Sequence, residues 1–264
     1  MAVSAETLAS IALAAGEEIM RVYRTDFSVE MKLDASLLTQ ADGLAEAIIL
    51  KGLCEAEPDL QVIAEESMAG GNMPEHGSRF ALVDPLDGTK EFVAKNGEFT
   101  VNIAIIEHGR PVMGVVYAPA LRRLFVAESP SHAWQSEAAP DGPVPQKRAP
   151  LRIRPAPADG LTAVASKSHR SPETDTWLAR YRVKEIAGAG SALKFCLVAA
   201  GEADVYPRLG RTMEWDTAAG DAVLRGAGGC MVRFEDHQPF TYGKPGFANG
   251  FFIAFAPGVE LQQP

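Results

Sequence analysis

Cysteine is scarce in this chain, and its spacing narrows the class of protein. The three cysteines, Cys54, Cys196 and Cys230, are odd in number, lie far apart and form no C-x-x-C pair. This pattern argues against both a disulfide framework and a cysteine-rich zinc site. We therefore expect a reducing compartment and a cytoplasmic location.

Long apolar runs and basic blocks are also missing. No apolar stretch approaches the roughly 18–20 residues that cross a bilayer, and the apolar N-terminal stretch carries Glu6, Glu17 and Glu18. We expect no membrane span and no signal peptide, whereas peripheral contact with the inner face of the cell membrane stays open. The formal net charge is −9, and no run of five basic residues occurs. Nucleic acid is therefore not an expected partner.

The chain does have enough apolar sequence for a substantial core. It is 264 residues long, 47% hydrophobic and 22% charged, and a chain of this size buries roughly 70–75% of its unfolded surface. An acidic protein that binds an anionic ligand needs local positive charge, from placed Lys and Arg residues or from bound cations.

Apolar periodicity divides the chain into two halves. Apolar residues at three- and four-residue steps predict helices over 7–23 and 41–54. Short β-rich runs then predict strands of one sheet at 61–64, 80–83, 99–106, 112–118 and 124–127. Seven prolines between Glu128 and Gly160 limit that stretch to edge strands and mark a domain boundary.

We therefore divide the chain into an N-terminal α+β domain, 1–155, and a C-terminal α/β domain, 156–264. The second half alternates between strands and helices. Strands are predicted at 161–165, 183–186, 203–206, 230–234 and 251–255, and helices at 173–181, 191–200 and 216–226.

Carboxylates stand where an apolar strand ends. The strand 80–83 runs directly into Asp84, Pro85 bars its regular continuation, and Gly88 permits a tight turn after Asp87. Two carboxylates this close repel unless a cation lies between them. Mg²⁺ prefers carboxylate and carbonyl oxygens as ligands, and Asp84, Asp87 and the Leu86 carbonyl could supply them. The alternative is an ordinary loop, since Asp, Pro and Gly are common in turns.

Two further segments place acids at element ends. Glu65 and Glu66 follow the apolar strand 61–64, and Asp216 opens a predicted helix. Singly, these residues could be a solvated pair and a helix N-cap. Three acidic element ends in one chain favour a site, because functional side chains concentrate at such ends.

Three motifs contain the acids described above: AEES at 64–67, DPLDGT at 84–89 and WDTAAGDA at 215–222. With these motifs the sequence resembles the inositol monophosphatase superfamily of Mg²⁺-dependent, lithium-sensitive phosphomonoesterases. Five further motifs are GTKEF at 88–92, NGEFTVNIA at 96–104, GVVYAP at 114–119, LKFCLVA at 193–199 and DVYPR at 204–208. In these the chain is similar to the 3'(2'),5'-bisphosphate nucleotidase (CysQ-type) branch of that superfamily. The resemblance implies an α/β (α+β) fold, a layered α-β-α-β-α sandwich.

The resemblance also implies a catalytic set. Glu65, Asp84 and the Leu86 carbonyl would hold one Mg²⁺, and Asp84, Asp87 and Asp216 a second, with two or three ions per site. Asp42 and Thr89 would orient and deprotonate the attacking water. One departure is that the branch usually shows Ser-Pro-Val-Thr where this chain has Ser-Leu-Leu-Thr at 36–39, which puts the rigidity of that loop in doubt.

Substrate-binding residues follow from the same resemblance. The backbone N–H groups of Gly88 and Thr89 would donate to the phosphate, a role that suits a helix start. Ser166 and His169 would contact the nucleotide, and Lys194 and Arg208 would bind the second phosphate. The alternatives are a loop histidine without a ligand and a lysine that extends from an apolar helix to solvent.

The implied activity is Mg²⁺-dependent hydrolysis of the 3'-phosphate of adenosine 3',5'-bisphosphate to AMP and phosphate. The sulfated analogue would be a second substrate, which links the enzyme to sulfate assimilation. One alternative is an inositol-1-phosphate or sugar-bisphosphate phosphatase on the same scaffold, although the inositol branch tends to carry Thr-Asn in place of Lys90-Glu91. Another is a non-catalytic metal-binding regulatory protein. The sequence leaves open a monomer or a homodimer.

Overall fold

The computed structural model describes residues 2–31, 37–71, 75–166 and 170–262. Within these ranges it has seven α-helices, sixteen strands and one short 3₁₀ helix at Pro245–Phe247. The helices are α1 (Ala5–Tyr23), α2 (Gln40–Ala56), α3 (Glu65–Ala69), α4 (Thr89–Val93), α5 (Pro172–Leu178), α6 (Leu193–Ala199) and α7 (Glu214–Gly226). The strands are β1 (Val29–Met31), β2 (Leu37–Thr39), β3 (Gln61–Ala64), β4 (Arg79–Asp87), β5 (Thr100–Glu107), β6 (Arg110–Ala118), β7 (Arg123–Ser129), β8 (His132–Glu137), β9 (Ala149–Pro150), β10 (Leu161–Ser166), β11 (Val183–Ala189), β12 (Val205–Arg208), β13 (Thr212–Met213), β14 (Cys230–Arg233), β15 (Ala248–Asn249) and β16 (Phe252–Phe255).

The two opening helices are confirmed, and both have local start signals. The Ser4 hydroxyl accepts the Thr7 N–H at 3.1 Å and caps α1. Thr39 and Asp42 form a capping box at the start of α2, which satisfies backbone N–H groups that a helix start leaves without partners. The helices pack together on one face of a seven-stranded sheet, where Val83, Ile103 and neighbouring strand residues are fully buried against them.

The seven-stranded sheet has the order β3-β4-β5-β6-β7-β8-β9. Strands β3 and β4 are parallel, and the other neighbours are antiparallel. Because side chains alternate between the faces of a strand, Phe80 and Leu82 face away from α1 and α2 and join a second core.

One strand prediction is wrong. We expected only edge strands between residues 128 and 160, but β8 lies inside the sheet between β7 and β9. Pro130 and Pro140 flank β8 without entering it, so its backbone N–H groups remain available for the ladder. The sheet ends at β9, whose two residues include Pro150.

The second sheet has the order β11-β10-β12-β16-β14. Helices α6 and α7 lie between the two sheets, because Phe195 and Val223 share one core with Leu82 of the first sheet and Phe252 of the second. Helix α5 covers the outer face, where Trp177 packs on residues of β10, β12 and β16. The layers α1/α2, sheet, α6/α7, sheet and α5 confirm the predicted α-β-α-β-α sandwich. The division into domains at residue 155 stays a prediction.

Candidate metal-dependent active site

Three acidic residues that are distant in sequence meet at one point. Glu65 lies in the first turn of α3, Asp84 in β4, and Asp216 in the first turn of α7. One ligand oxygen from each lies within 4.8 Å of the others. They meet because β3 and β4 are parallel and end at the same edge of the sheet, while α7 packs on the face below.

The backbone around Asp84 departs from a regular strand. We predicted that the strand stops at Val83, but β4 continues to Asp87 with a register shift against β5 between Asp84 and Asp87. Pro85 lies in this irregular stretch, where its missing N–H costs no ladder bond. The Leu86 N–H donates to Asp84 Oδ1 at 3.1 Å, so the side chain and backbone of this turn fix each other.

Gly88 ends this turn and starts α4. Its φ of +91° lies in the left-handed region, where a residue with a Cβ is strained. A Cβ there would also lie 3.3 Å from the Glu98 carbonyl oxygen. Glycine therefore allows the chain to turn directly from Asp87 into Thr89.

The electrostatics of the cluster favour a bound cation. Asp84 is only 2% exposed, and burial raises its pKa well above the usual range, with further increases from Glu65, Asp87 and Asp216. Burial, followed by the charges of Asp87 and Glu65, also raises the pKa of Asp216. Carboxylates this close and this dehydrated repel one another. Their oxygens and the nearby Leu86 carbonyl fit a hard divalent cation, which would relieve this repulsion.

Asp87 differs from Asp84 and Asp216 in its surroundings. Burial raises its pKa to about 6, although the Lys194 charge and a hydrogen bond from Asn102 oppose the shift. Asn102 Nδ2 donates to Asp87 Oδ2 at 3.3 Å. Asp87 thus lies between the acidic cluster and a lysine.

The predicted catalytic pair, Asp42 and Thr89, is in contact. The Thr89 hydroxyl lies 3.4 Å from Asp42 Oδ1 and also 3.4 Å from the Leu86 carbonyl oxygen. Asp42 is 2% exposed, and its Oδ2 accepts both the N–H and the hydroxyl of Thr39 at 2.8 Å. One oxygen of Asp42 is thus fixed by the helix start, and the other faces Thr89.

A cleft of about 1030 Å³ opens over the cluster. Its lining includes Ser166 and Arg208 together with the buried Lys194. His169, the remaining predicted substrate residue, lies outside the described residues. The sequence-predicted residues in the lining are Glu65, Asp84, Leu86, Asp87, Gly88, Thr89, Ser166, Lys194, Arg208 and Asp216.

Lys194 does not extend to solvent, so that alternative reading of it is wrong. Its side chain is buried, and Nζ donates to the carbonyl oxygens of Ser191 at 2.5 Å and Ala189 at 3.4 Å. Burial lowers its pKa to about 8, against the opposing attraction of Asp87.

Sequence reasoning missed three residues that hold the outer parts of the cluster. Glu46 of α2 contacts the start of α3, and Glu214 and Asn249 hold the start of α7. Glu46 had a detectable signal, because Asp42 and Glu46 are acids one turn apart on an otherwise apolar helix face.

Glu214 is fully buried at the start of α7. Its carboxylate accepts the N–H groups of Gly243 at 2.7 Å and Lys244 at 3.0 Å, and it pairs with Lys244 Nζ at 2.6 Å. Asn249 Nδ2 donates to the Met213 carbonyl at 2.7 Å. The first turn of α7, which carries Asp216, is therefore held by the chain segment after β14.

The fold, the carboxylate cluster and the cleft define a layered α/β protein with a site suited to a divalent cation. The model of the inositol monophosphatase family matches residues 3–251, and the chain belongs to this family. No helix within the described ranges is both long and apolar enough to span a bilayer.

Individual relatives agree with this assignment. The chain is 42% identical over 239 residues to the 3'(2'),5'-bisphosphate nucleotidase CysQ of Escherichia coli K12. This match covers 90% of this chain and 93% of that protein. It is 43% identical over 249 residues to the CysQ of Salmonella typhimurium, and this match covers 92% of this chain and 97% of that protein. Among solved structures, CysQ from Bacteroides thetaiotaomicron matches with a TM-score of 0.81 and 38% identity over 97% of both chains. A Thermotoga maritima IMPase matches with a TM-score of 0.76 and 27% sequence identity, over 95% of this chain and 91% of that chain.

Proposed function

We propose that this protein hydrolyses the 3'-phosphate of adenosine 3',5'-bisphosphate to give AMP and phosphate. The observation that carries the proposal is a single cleft whose lining combines the acidic cluster with cationic side chains, among them Lys194 and Arg208. A substrate with two phosphates needs both features, one for the reacting group and one for the second anion. The relatives named as bisphosphate nucleotidases support this substrate class.

The proposed cofactor is Mg²⁺. Glu65, Asp84 and the Leu86 carbonyl would hold one ion, and Asp84, Asp87 and Asp216 another. When bound, the ions supply positive charge that lowers the pKa of a water molecule and stabilises the departing oxygen. Charge from bound cations also explains how a protein with a net charge of −9 accepts an anionic substrate.

The chain's own residues orient and deprotonate the water. The Thr89 hydroxyl donates to Asp42 Oδ1, which leaves the Thr89 oxygen free to accept a hydrogen bond from the attacking water. As the water attacks phosphorus, the P–O3' bond breaks, the water's proton passes to Thr89 Oγ1, and the Thr89 proton passes to Asp42 Oδ1. The leaving 3'-oxygen takes a proton from solvent to become the ribose hydroxyl, and Asp42 later returns its proton to solvent. The bonds from Thr39 to Asp42 Oδ2 hold the carboxylate in this orientation.

The start of α4 would bind the reacting phosphate. The backbone N–H groups of Gly88 and Thr89 lie at a helix start, where N–H groups lack partners within the helix. The left-handed Gly88 brings this backbone next to Asp87, so phosphate oxygens would meet donors on one side and the acidic cluster on the other.

Lys194 and Arg208 would bind the second phosphate, and Ser166 would contact the nucleotide, with His169 added by the resemblance alone. By hydrolysing adenosine 3',5'-bisphosphate, the enzyme would clear a by-product of sulfate activation, and the sulfated analogue would be a second substrate. We place the reaction in the cytoplasm because Cys54, Cys196 and Cys230 are all free thiols, as expected in a reducing compartment. Peripheral membrane contact and the choice between monomer and homodimer also remain proposals.

The variant Lys194→Gln tests the second-phosphate site. Loss of one charged hydrogen bond costs about 1.5–3 kcal/mol, or about 10- to 100-fold in affinity. We expect KM for adenosine 3',5'-bisphosphate to rise by this factor, while KM for adenosine 3'-monophosphate changes less than about threefold.

Lys147→Gln is the matched control, because Lys147 is exposed and does not line the cleft. Equal losses on both substrates in Lys194→Gln would contradict the assignment of Lys194 to the second phosphate.

A further inference from the structure

The turn that carries Glu65 lacks a cap of its own. Helix α3 starts at Glu65, and its N-cap residue is Ala64, which has no side-chain acceptor. Helix starts normally have Ser, Thr, Asp or Asn at this position, because the first N–H groups need an acceptor. Local sequence therefore does not fix where the Glu65 turn lies.

Glu46, twenty residues earlier, supplies the missing acceptor. Its Oε2 accepts the Glu66 N–H at 2.9 Å, and its Oε1 accepts the Ser67 hydroxyl at 2.6 Å. Glu46 is only 6% exposed, and a buried carboxylate with specific donors resists displacement because breaking the bonds leaves it dehydrated and unpaired. Both oxygens of Glu46 thus bind the first turn of α3.

The same face of α2 also carries Asp42. Four residues, about one turn or 6 Å, separate Asp42 from Glu46. The helix itself is held by Ala45 and Ile49, which are fully buried in the core with α1. One rigid helix therefore contacts Thr89 through Asp42 and the Glu65 turn through Glu46.

We propose that Glu46 is a positioning residue for the metal ligand Glu65, and that α2 sets the spacing between the metal site and the Asp42–Thr89 pair. The inference rests on the proposed metal site. Residues that orient metal ligands typically contribute 10- to 100-fold to metal affinity. A residue needed only for stability would change the unfolding temperature and leave the Mg²⁺ affinity of the folded protein intact.

The test is Mg²⁺ binding to the metal-stripped full-length protein, measured by titration calorimetry without substrate. For Glu46→Gln we expect Kd for Mg²⁺ to rise about 10- to 100-fold. Ser67→Ala, which removes one donor without changing charge, should raise Kd about threefold or more. Glu55→Gln is the matched control, because Glu55 is an exposed acid on the same helix that pairs with Lys51 at 3.9 Å.

A Kd for Glu46→Gln within threefold of wild type would overturn the inference, as would wild-type protein that binds no Mg²⁺. If Glu46→Gln does not fold, Ser67→Ala decides, and an unchanged Kd there is the negative result. Because no substrate is present, the outcome is separate from the proposed function. A wild-type protein whose Mg²⁺ affinity depends on Glu46 but which does not release the nucleotide 3'-phosphate would support the inference and refute the activity.

Discussion

Replacing Asp87 by asparagine should stabilise the metal-free protein while impairing catalysis. Burial raises the pKa of Asp87 from 3.8 to about 6. In the folded protein the carboxyl therefore holds its proton up to about pH 6, whereas in the unfolded chain it ionises near 3.8. The stability that this group contributes is complete below pH 3.8 and is lost as the pH rises through 6.

The magnitude follows from the size of the shift. One pKa unit corresponds to 1.36 kcal/mol, so the raised pKa of Asp87 lowers the free energy of unfolding by up to about 3 kcal/mol at pH 7.5, where the folded carboxyl is ionised. At pH 5, where the folded carboxyl still holds its proton, the loss is about half of that. Asparagine carries no charge at either pH, and the shift of the Asp87 pKa to about 6 already includes the opposing attraction to Lys194. We therefore expect Asp87→Asn to raise the free energy of unfolding by about 1–3 kcal/mol at pH 7.5, which corresponds to a melting temperature several degrees higher.

The assay is urea denaturation in EDTA at pH 7.5 and pH 5, with wild type, Asp87→Asn and the exposed control Asp59→Asn. The increase in the free energy of unfolding of Asp87→Asn over wild type should be larger at pH 7.5 than at pH 5. Asp59→Asn should show no such increase. Saturating Mg²⁺ should then stabilise wild type more than the variant, because ligands that bind only the folded state raise its stability. Equal or lower stability of Asp87→Asn at pH 7.5, or a gain independent of pH, would refute the reasoning.

Two further predictions concern the reaction itself. Asp42→Asn should lower kcat by about 10²- to 10⁴-fold, because the proton of the attacking water loses its acceptor. Its Kd for Mg²⁺ by calorimetry should stay within threefold of wild type, and a protein whose turnover survives the change would not use Asp42 as a base. Because burial lowers the pKa of Lys194 to about 8, KM for the bisphosphate should rise between pH 7.5 and 9.5 as the lysine loses its proton. Steady-state rates should show this rise in wild type, and its persistence in Lys194→Gln would contradict the assignment.

The elements that were predictable from sequence are those with local signals. Apolar periodicity indicated α1 and α2, and β-rich runs bounded by Gly and Pro indicated β3 to β7. Strand β8, which we expected at most as an edge strand, lies in a proline-rich stretch whose prolines happen to flank it. Composition over a window does not show which individual residues must donate a ladder bond.

The acidic cluster was predictable in part because each acid follows an element end. Asp216 shows the limit of this reasoning. We considered it as an N-cap, but α7 begins two residues earlier, and Asp216 Oδ2 accepts the Met213 N–H at 2.7 Å from inside the helix. The earlier start depends on Glu214, whose backbone partners Gly243 and Lys244 are 29 and 30 residues away.

Glu46 was missed for the same physical reason. Its partners Glu66 and Ser67 lie 20 and 21 residues along the chain, and buried polar contacts at such a separation depend on the tertiary fold. A buried acid on an apolar helix face nevertheless demands a partner, and that demand is readable in the sequence at Asp42 and Glu46.

The most direct test of the account is phosphate release from three substrates in parallel, first with Mg²⁺ and then with EDTA. The substrates are adenosine 3',5'-bisphosphate, inositol 1-phosphate and fructose 1,6-bisphosphate. We predict that the nucleotide is hydrolysed faster by orders of magnitude and that EDTA abolishes the reaction. Preference for inositol 1-phosphate or the sugar bisphosphate would contradict the substrate assignment, and hydrolysis that survives EDTA would contradict the metal site.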